Sequence, residues 1–359
     1  MTNYFLNRFL LHMYSKGSCT GKQIQEVVES VDTINTTSMN RLASLLDGFL
    51  KPLPANFKAD NPSLDALQDA FDQCQNLMVD LRTEKQRMRH FTRKGFIQAV
   101  SYRIGTRVDA RADGTEATVD ATAQYVPGIR THTKNKDHYT TLPIRTHAGK
   151  ISSYFDTHRY RTSAYHCANP TAMKLTLYHD DIEVGNVLGA RAGVYKMTMF
   201  YYTVHGQSSS RLQSIHLAII CHASDLKQYG YASVLKPLID DLKLLYGGVD
   251  VGLRGVPDII HATLEHVVGD NLAANALLGM NQSFRAGHFC RFCYISGAEV
   301  PCSTRASDHD PRCRITHQLD VEMVQHIPEF STRTGVKQSG ALDQLPYFWG
   351  VESTVPDIM

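Results

Sequence analysis

The 359-residue sequence has no long apolar run. Its hydrophobic stretches fall well short of the roughly 20 residues that a helical membrane span needs. Net charge is also nearly absent: 37 Lys and Arg stand against 35 Asp and Glu, a formal balance of +2. No global field therefore announces a nucleic-acid partner, and any basic footprint has to be local. Repeats and low-complexity tracts are missing, which sets aside solenoids and biased disordered segments. A convincing secretory leader is missing too. Met1–Met13 is faintly apolar, but Asn7, Arg8 and His12 interrupt it and no small-residue cleavage site follows, so it reads as an amphipathic start or a clipped boundary. The eight cysteines are irregularly spaced with only two close together, which points to a reducing compartment rather than a disulfide scaffold. What is present, 43% hydrophobic and 20% charged residues, describes a globular chain long enough for two or three domains.

The stretch from Met173 to Ala276 organises the rest. Lys174–Tyr178 (K-L-T-L-Y) is a period-two strand that runs into His179, Asp180 and Asp181. Tyr195–Val204 and Ser214–Ser224 are further β-rich runs separated by a turn-like His205–Ser210, which predicts a hairpin. Tyr231–Tyr246 is helical, with Val234, Leu235, Leu238, Ile239, Leu242 and Leu245 on one stripe and Pro237 expected in the first turn. Thr263–Val268 is a fourth strand delivering Gly269, Asp270 and Asn271 before a small-residue helix, Leu272–Met280. Asp180, Asp181 and Asp270 are thus expected just past the carboxyl ends of two strands, where ligands gather in sheets with helical crossovers. Carboxylates there suit Mg²⁺ or Mn²⁺, and two such ions can stabilise both oxygens of an in-line phosphoryl displacement. Taken singly, each aspartate is also an ordinary turn residue; Asn271 and Asn275 read as helix-start residues and Glu183 as a supporting group or an exposed charge.

The segment Leu177–Gly189 (L-Y-H-D-D-I-E-V-G-N-V-L-G) resembles the first catalytic-aspartate segment of transposases of the CACTA (En/Spm-like) type. Val268–Leu272 is similar to the second, Phe289–Cys293 to a following cysteine pair, and Tyr229-Gly230, Leu235–Leu242 and Val355–Met359 continue the likeness over about residues 173–359. The resemblance implies an RNase H-like fold and cut-and-paste DNA transposition at an Asp-Asp-Glu metal site. It further implies transposon-end DNA as partner, a homo-oligomer, and a nuclear protein. In the family a histidine and a glutamate follow the Pro-Asp-Ile-Met-like segment. This sequence stops at Met359, so the expectation is a truncated protein without the third carboxylate. Glu322, Glu329 and Glu352 are candidate replacements that spacing does not rank.

Elsewhere the signals are local. Lys22–Lys51 carries two apolar stripes (Ile24, Val27, Val28, Val31, then Met39, Leu42, Leu45, Leu46, Phe49) and ends at Pro52 and Pro54. A second helix is predicted from Pro62 to Leu81, running into the basic Arg82–Lys94, which reads equally as a DNA or nuclear-import contact or as a solvated face. Ala110–Ala123 looks like a linker or exposed hairpin, and His132–Arg145 like a loop. Tyr154–His166 interleaves aromatic and basic residues, as a strand-stacking surface would, although a polar lead-in to the first strand is the blander reading. Cys290-x-x-Cys293 has zinc-ligand spacing, and Cys313-x-x-x-His317 is the candidate second pair, with Cys302 and His309 competing. Cys221, His216 and His222 read as packed or exposed strand side chains rather than ligands.

The expected fold is α/β: a helical region at 1–100, a loop-rich linker at 101–171, an RNase H-like mixed-sheet core at 172–285 and a cysteine-bearing insertion at 286–359. The expected function is a transposon-derived transposase or a fragment of one. The alternatives are a non-catalytic, transposase-derived DNA- or protein-binding protein, and a zinc-stabilised interaction module that leaves the strand-end aspartates unexplained.

Overall fold

The computed structural model describes residues 10, 21–52, 69–72, 74, 79, 81–93, 97, 99–110, 114–129, 154–184, 196–205, 214–250, 259–283, 287–305 and 308–356. Two compact units divide the chain, Met1–Gln98 and Ala99–Met359.

In the first unit, helix α1 (Gly21–Leu50) and helix α2 (Glu84–Arg93) bury a small core of Leu10, Ile24, Val28, Leu81 and Phe91. The first expected stripe of α1 therefore faces inward, whereas Leu42, Leu45 and Phe49 of the second are exposed. The basic run is partly consumed by this packing. Arg87 is buried and donates to the carbonyls of Leu81 and Arg82 and to Gln25, and Arg82 pairs with Asp32 at 2.9 Å. A guanidinium bonded in this way anchors the helix and is withdrawn from any phosphate. The helix predicted over 62–81 lies largely outside the described residues, as do Lys94 and the 132–145 loop.

The second unit is built on a mixed α/β sheet. Its strands are β1 (Val100–Ala110), β2 (Glu116–Tyr125), β3 (Met173–Glu183), β4 (Lys196–Val204), β5 (His216–His222), β6 (Val249–Asp250), β7 (Ile259–Ile260), β8 (Ala262–Gly269) and β9 (Thr354–Pro356). Seven form one sheet in the order β1-β2-β5-β4-β3-β8-β9, and β6 and β7 form a separate ribbon. Neighbours from β1 to β3 are antiparallel, including the hairpin expected for β4 and β5, while β3, β8 and β9 run parallel.

The region expected to be a loop-rich linker, with an exposed hairpin as the other reading of Ala110–Ala123, supplies two of these strands as a hairpin. Ala117, Val119, Ala121, Ala123 and Tyr125 alternate with Thr118, Asp120, Thr122 and Gln124, and the inward set grows more buried along β2 until Ala121 and Ala123 are fully enclosed. The small side chains that resembled a linker make a period-two strand with room above it for a helix. That helix is α5 (Ala223–Gly247), which follows the short helices α3 (His158–Thr162) and α4 (Ala164–Ala168) in the chain. Polar contacts fix it to the hairpin: Arg107 to Asp225 at 2.7 Å, Tyr125 to Asp241 at 2.5 Å, and Tyr102 to the Val234 carbonyl. A Cβ on Gly105 would fall 2.1 Å from the Tyr229 ring, so only glycine admits this aromatic. Gly230, at φ +78°, breaks α5 into two segments, and Pro237 sits well inside the second rather than in a first turn.

Leu175, Leu177, Phe200, Ile219, Leu238, Leu242 and Leu264 form the main core with the inner stripe of α5. Val336, Leu342, Leu345 and Phe348 join the same core. The aromatic-basic Tyr154–His166 is likewise turned inward. Tyr154 donates to Glu265, His166 lies 2.9 Å from the same carboxylate, and Tyr160 stacks on His166. Arg161 pairs with Asp156 at 3.6 Å and Arg159 donates to Ser353. Beside them, His205 contacts Thr176 and His266 at 2.8 and 3.3 Å.

Two predictions follow from this packing. Gly105→Val should lower stability by about 1–3 kcal/mol through overpacking against Tyr229, read from chemical denaturation. Burial, and the adjoining His266, depress His205 from 6.5 to about 4. A group depressed in the folded state favours folding above its unfolded pKa, so stability should fall as pH drops from 6.5 towards 4. His205→Gln should make that part of a melting-temperature profile shallower without flattening it, because burial also depresses His179, His216, His266 and His317. Below pH 4.5 Glu265, which burial raises but bonds from His166, Thr263 and Tyr154 bring down to about 2, adds a further loss.

Candidate functional site

A cleft of about 700 Å³ opens at the carboxyl ends of β3 and β8, lined by Asp180, Asp181, Asp270, His179, Lys196, Thr198, Lys227, Tyr231 and Gln282 among others. The three aspartates singled out in the sequence are therefore brought to one place. Asp180 and Asp181 are not beyond β3, as expected, but inside it. The strand continues because β4 pairs with it through Asp180↔Met199, Asp181↔Thr198 and Glu183↔Lys196, whereas pairing with β8 stops at Tyr178↔Val268. The crevice begins where that parallel pairing ends.

Strand alternation separates the adjacent carboxylates. Leu175, Leu177, His179 and Asp181 share the face beneath α5; Lys174, Thr176, Tyr178 and Asp180 share the other. Electrostatics agree with this division. Burial and then the charges of Asp181 and Asp270 raise the Tyr231 hydroxyl, while burial and then Asp180 raise Tyr201, which pairs with Tyr178 across the sheet. Asp181 and Asp270 face each other's side of the cleft, and Asp180 is directed towards Tyr178.

Each carboxylate has partners. Asp181 accepts from the Thr198 hydroxyl and pairs with Lys196 at 3.0 Å. Asp270 caps helix α6 (Asn271–Leu277), accepting the Ala273 N–H at 2.6 Å. The helix-start role expected for Asn271 and Asn275 thus belongs to Asp270. Asn271 instead accepts from Arg291 at 2.8 Å, and buried Asn275 donates to the carbonyls of Asn281 and Phe289 at 2.8 and 3.0 Å. His179 stacks on Phe200, and its pKa is lowered by burial against the opposing pull of Ala273 and the three aspartates.

The sulfurs of Cys290 and Cys293 are 3.6 Å apart, close to the ~3.8 Å that two thiolates at tetrahedral angles on one zinc would have. The pair thus fits half of a zinc site. Arg312 is the residue directed at the pair, its N–H donating to the Phe292 carbonyl and its guanidinium to the Cys290 carbonyl. Cys313 caps helix α7 (Arg314–His326), its sulfur accepting the Thr316 N–H, and His317 is buried against Trp349. Cys302 is exposed and His309 bonds Ser303. Among the described residues no group of three or more His, Cys, Asp and Glu side chains gathers as a metal site requires. Cys221 is buried in β5, which lifts its thiol to about 12.

The alternative third carboxylates lie elsewhere. Glu322 lines a second cleft of about 390 Å³ with His317 and Trp349, Glu329 sits in the short turn Pro328–Phe330, and Glu352 lies 3.9 Å from Arg159. Sequence reasoning missed Lys196, Thr198, Tyr231 and Gln282. The register of a longer β3–β4 hairpin would have found the first two. No protein-family model matches the chain, and a search of the curated proteins finds no similar sequence. Asn275→Ala, which strands two buried carbonyls, should cost about 1–3 kcal/mol in denaturant unfolding.

Proposed function

We propose that the cleft cuts and joins DNA phosphodiesters, in an RNase H-like core of the CACTA transposase type. The observation that supports this most is that Asp181, on the strand between the antiparallel and parallel halves of the sheet, and Asp270, at the end of the adjacent parallel strand, line one cleft. The strand order supports the fold reading. An antiparallel run β3-β4-β5 passes through α5 to β8 and β9, both parallel to β3.

On this reading Asp181 and Asp270 would hold Mg²⁺ or Mn²⁺; their hard oxygens fit such an ion. Bound there, the ion would stabilise the oxygens of an in-line displacement. Lys196 and Lys227 supply positive charge for the phosphate, and Tyr231 and His179 wall the site beneath α5. Asp180, on the opposite face, is assigned no ligand role. Pro356 of β9 pairs with Gly269, the residue before Asp270, and the resemblance puts the glutamate further along the chain from there. Cys290 and Cys293 would give two thiolates to a structural Zn²⁺. The partner is transposon-end DNA, and the setting is a nuclear multimer.

A second reading is a transposase-derived DNA-binding protein without chemistry. It is favoured by the described lining of the cleft, whose carboxylates are Asp180, Asp181 and Asp270 with no glutamate among them.

Mn²⁺-dependent cleavage and strand transfer, measured on this chain and on a version extended beyond Met359, separate the two. Asp181→Asn and Asp270→Asn should each reduce the rate at least about a hundredfold, and Asp180→Asn should leave it within a few-fold. Equal loss from Asp180→Asn would sink the assignment by strand face. DNA binding without cleavage in either form would favour the second reading.

A further inference from the structure

Asp181 reaches the cleft with its charge already met. Lys196 Nζ lies 3.0 Å from its Oδ2, and the Thr198 hydroxyl donates to its Oδ1. Both partners come from β4, held opposite by the register Glu183↔Lys196 and Asp181↔Thr198. Asp270 differs: its partner is the Ala273 N–H, and no ion pair reaches it among the described residues. The Lys196 side chain is 46% exposed and Asp181 35%, so the ammonium meets whatever enters the cleft.

Such a contact favours exchange. A solvent-exposed ion pair is weakly held. A lysine ammonium on its flexible four-carbon stem is a point charge that can turn from a carboxylate to a phosphate without losing its own charge compensation. A carboxylate still paired with that ammonium has little to offer a divalent ion, because the two cations would crowd the same oxygens. We infer that Lys196 is an internal counter-cation that gates metal loading: a phosphodiester entering the cleft draws the ammonium onto its oxygens and frees Asp181 for a divalent ion. This rests on the metal-dependent reading of the cleft. It adds that substrate and metal bind cooperatively through one side chain, and linkage makes the effect reciprocal, so the metal raises affinity for DNA by the same factor.

The test is Mn²⁺ binding to the full chain, by calorimetry and by electron paramagnetic resonance, with and without a short DNA duplex and corrected for Mn²⁺ taken up by the duplex alone. Without DNA, Lys196→Met should bind Mn²⁺ about fivefold more tightly than the wild type. DNA should tighten the wild type by a comparable factor and leave Lys196→Met unchanged. Lys196→Arg, which keeps the charge, should behave as the wild type and guards against a folding artefact. Lys227→Met, which removes a charge from the same cleft without touching Asp181, should shift affinity less than Lys196→Met does. Equal shifts from Lys196→Met and Lys227→Met would mean that only overall charge matters, and the gate would be overturned. Unchanged Mn²⁺ affinity in Lys196→Met, with binding lost in Asp181→Asn and Asp270→Asn, would overturn the gate and leave the metal reading standing. Absence of Mn²⁺ binding in every form, with and without DNA, would overturn both.

Discussion

Strand β3 must satisfy opposite demands along its length, and the two-residue alternation of its side chains is the constraint on which the cleft depends. At its start both faces are covered, by Leu175 and Leu177 towards α5 and by Lys174 towards Phe155 and Tyr160. At its end the parallel partner β8 stops pairing while the antiparallel partner β4 continues. Charged residues at this end lie in a strand paired on one side only, and alternation sends Asp181 to the helix side and Asp180 away from it. A one-residue slip of this register would exchange the two carboxylates and bury Tyr178 in place of His179.

The helix above this strand is held near both of its ends. Asp225 and Asp241 are buried on α5 and meet Arg107 and Tyr125 from the β1–β2 hairpin, so charges that would oppose burial alone become points of attachment. The Gly230 break lets the helix turn between the segment gripped by Tyr229 and Thr106 and the segment that carries the core stripe. Tyr231, which opens the second segment, is thereby placed over His179 and the carboxylates. The distant hairpin, which looked dispensable from its composition, helps set one wall of the cleft.

Much of the architecture was legible because it rests on periodicity. The strands from Met173 to Gly269 and the α5 stripe each announce a face that must be buried, and the three aspartates did converge on one cleft. The β1–β2 hairpin was less legible, because Glu116–Tyr125 is rich in small and polar residues; Ala121 and Ala123 are fully enclosed, while β1 packs Tyr102 and Ile104 against the main core. The Tyr154–His166 segment left two readings open for the opposite reason. Rings and cations suited to stacking on DNA are equally suited to packing around buried Glu265, and only the sequence-distant carboxylate decides between those uses. Metal-ligand spacing had the same weakness. Cys290 and Cys293 are close because two residues separate them, but whether Cys313 joins them depends on the direction of the α7 cap.

The cysteine segment is joined to the carboxylates through the backbone of α6. Arg291, between the two cysteines, donates to Asn271, the residue after Asp270, and Asn275 holds the carbonyl of Phe289, the residue before Cys290. The first turn of α6 is therefore fastened from below by the loop that bears the thiols, and the Asp270 side chain is fastened from above by its own cap. A zinc ion on Cys290 and Cys293, on the proposed reading, would stiffen this loop and so act on the position of Asp270 without approaching the phosphate. Such an arrangement accounts for a cysteine pair so close in sequence to the second aspartate. The loop is bonded to that helix on either side of Cys290, through Phe289 and Arg291.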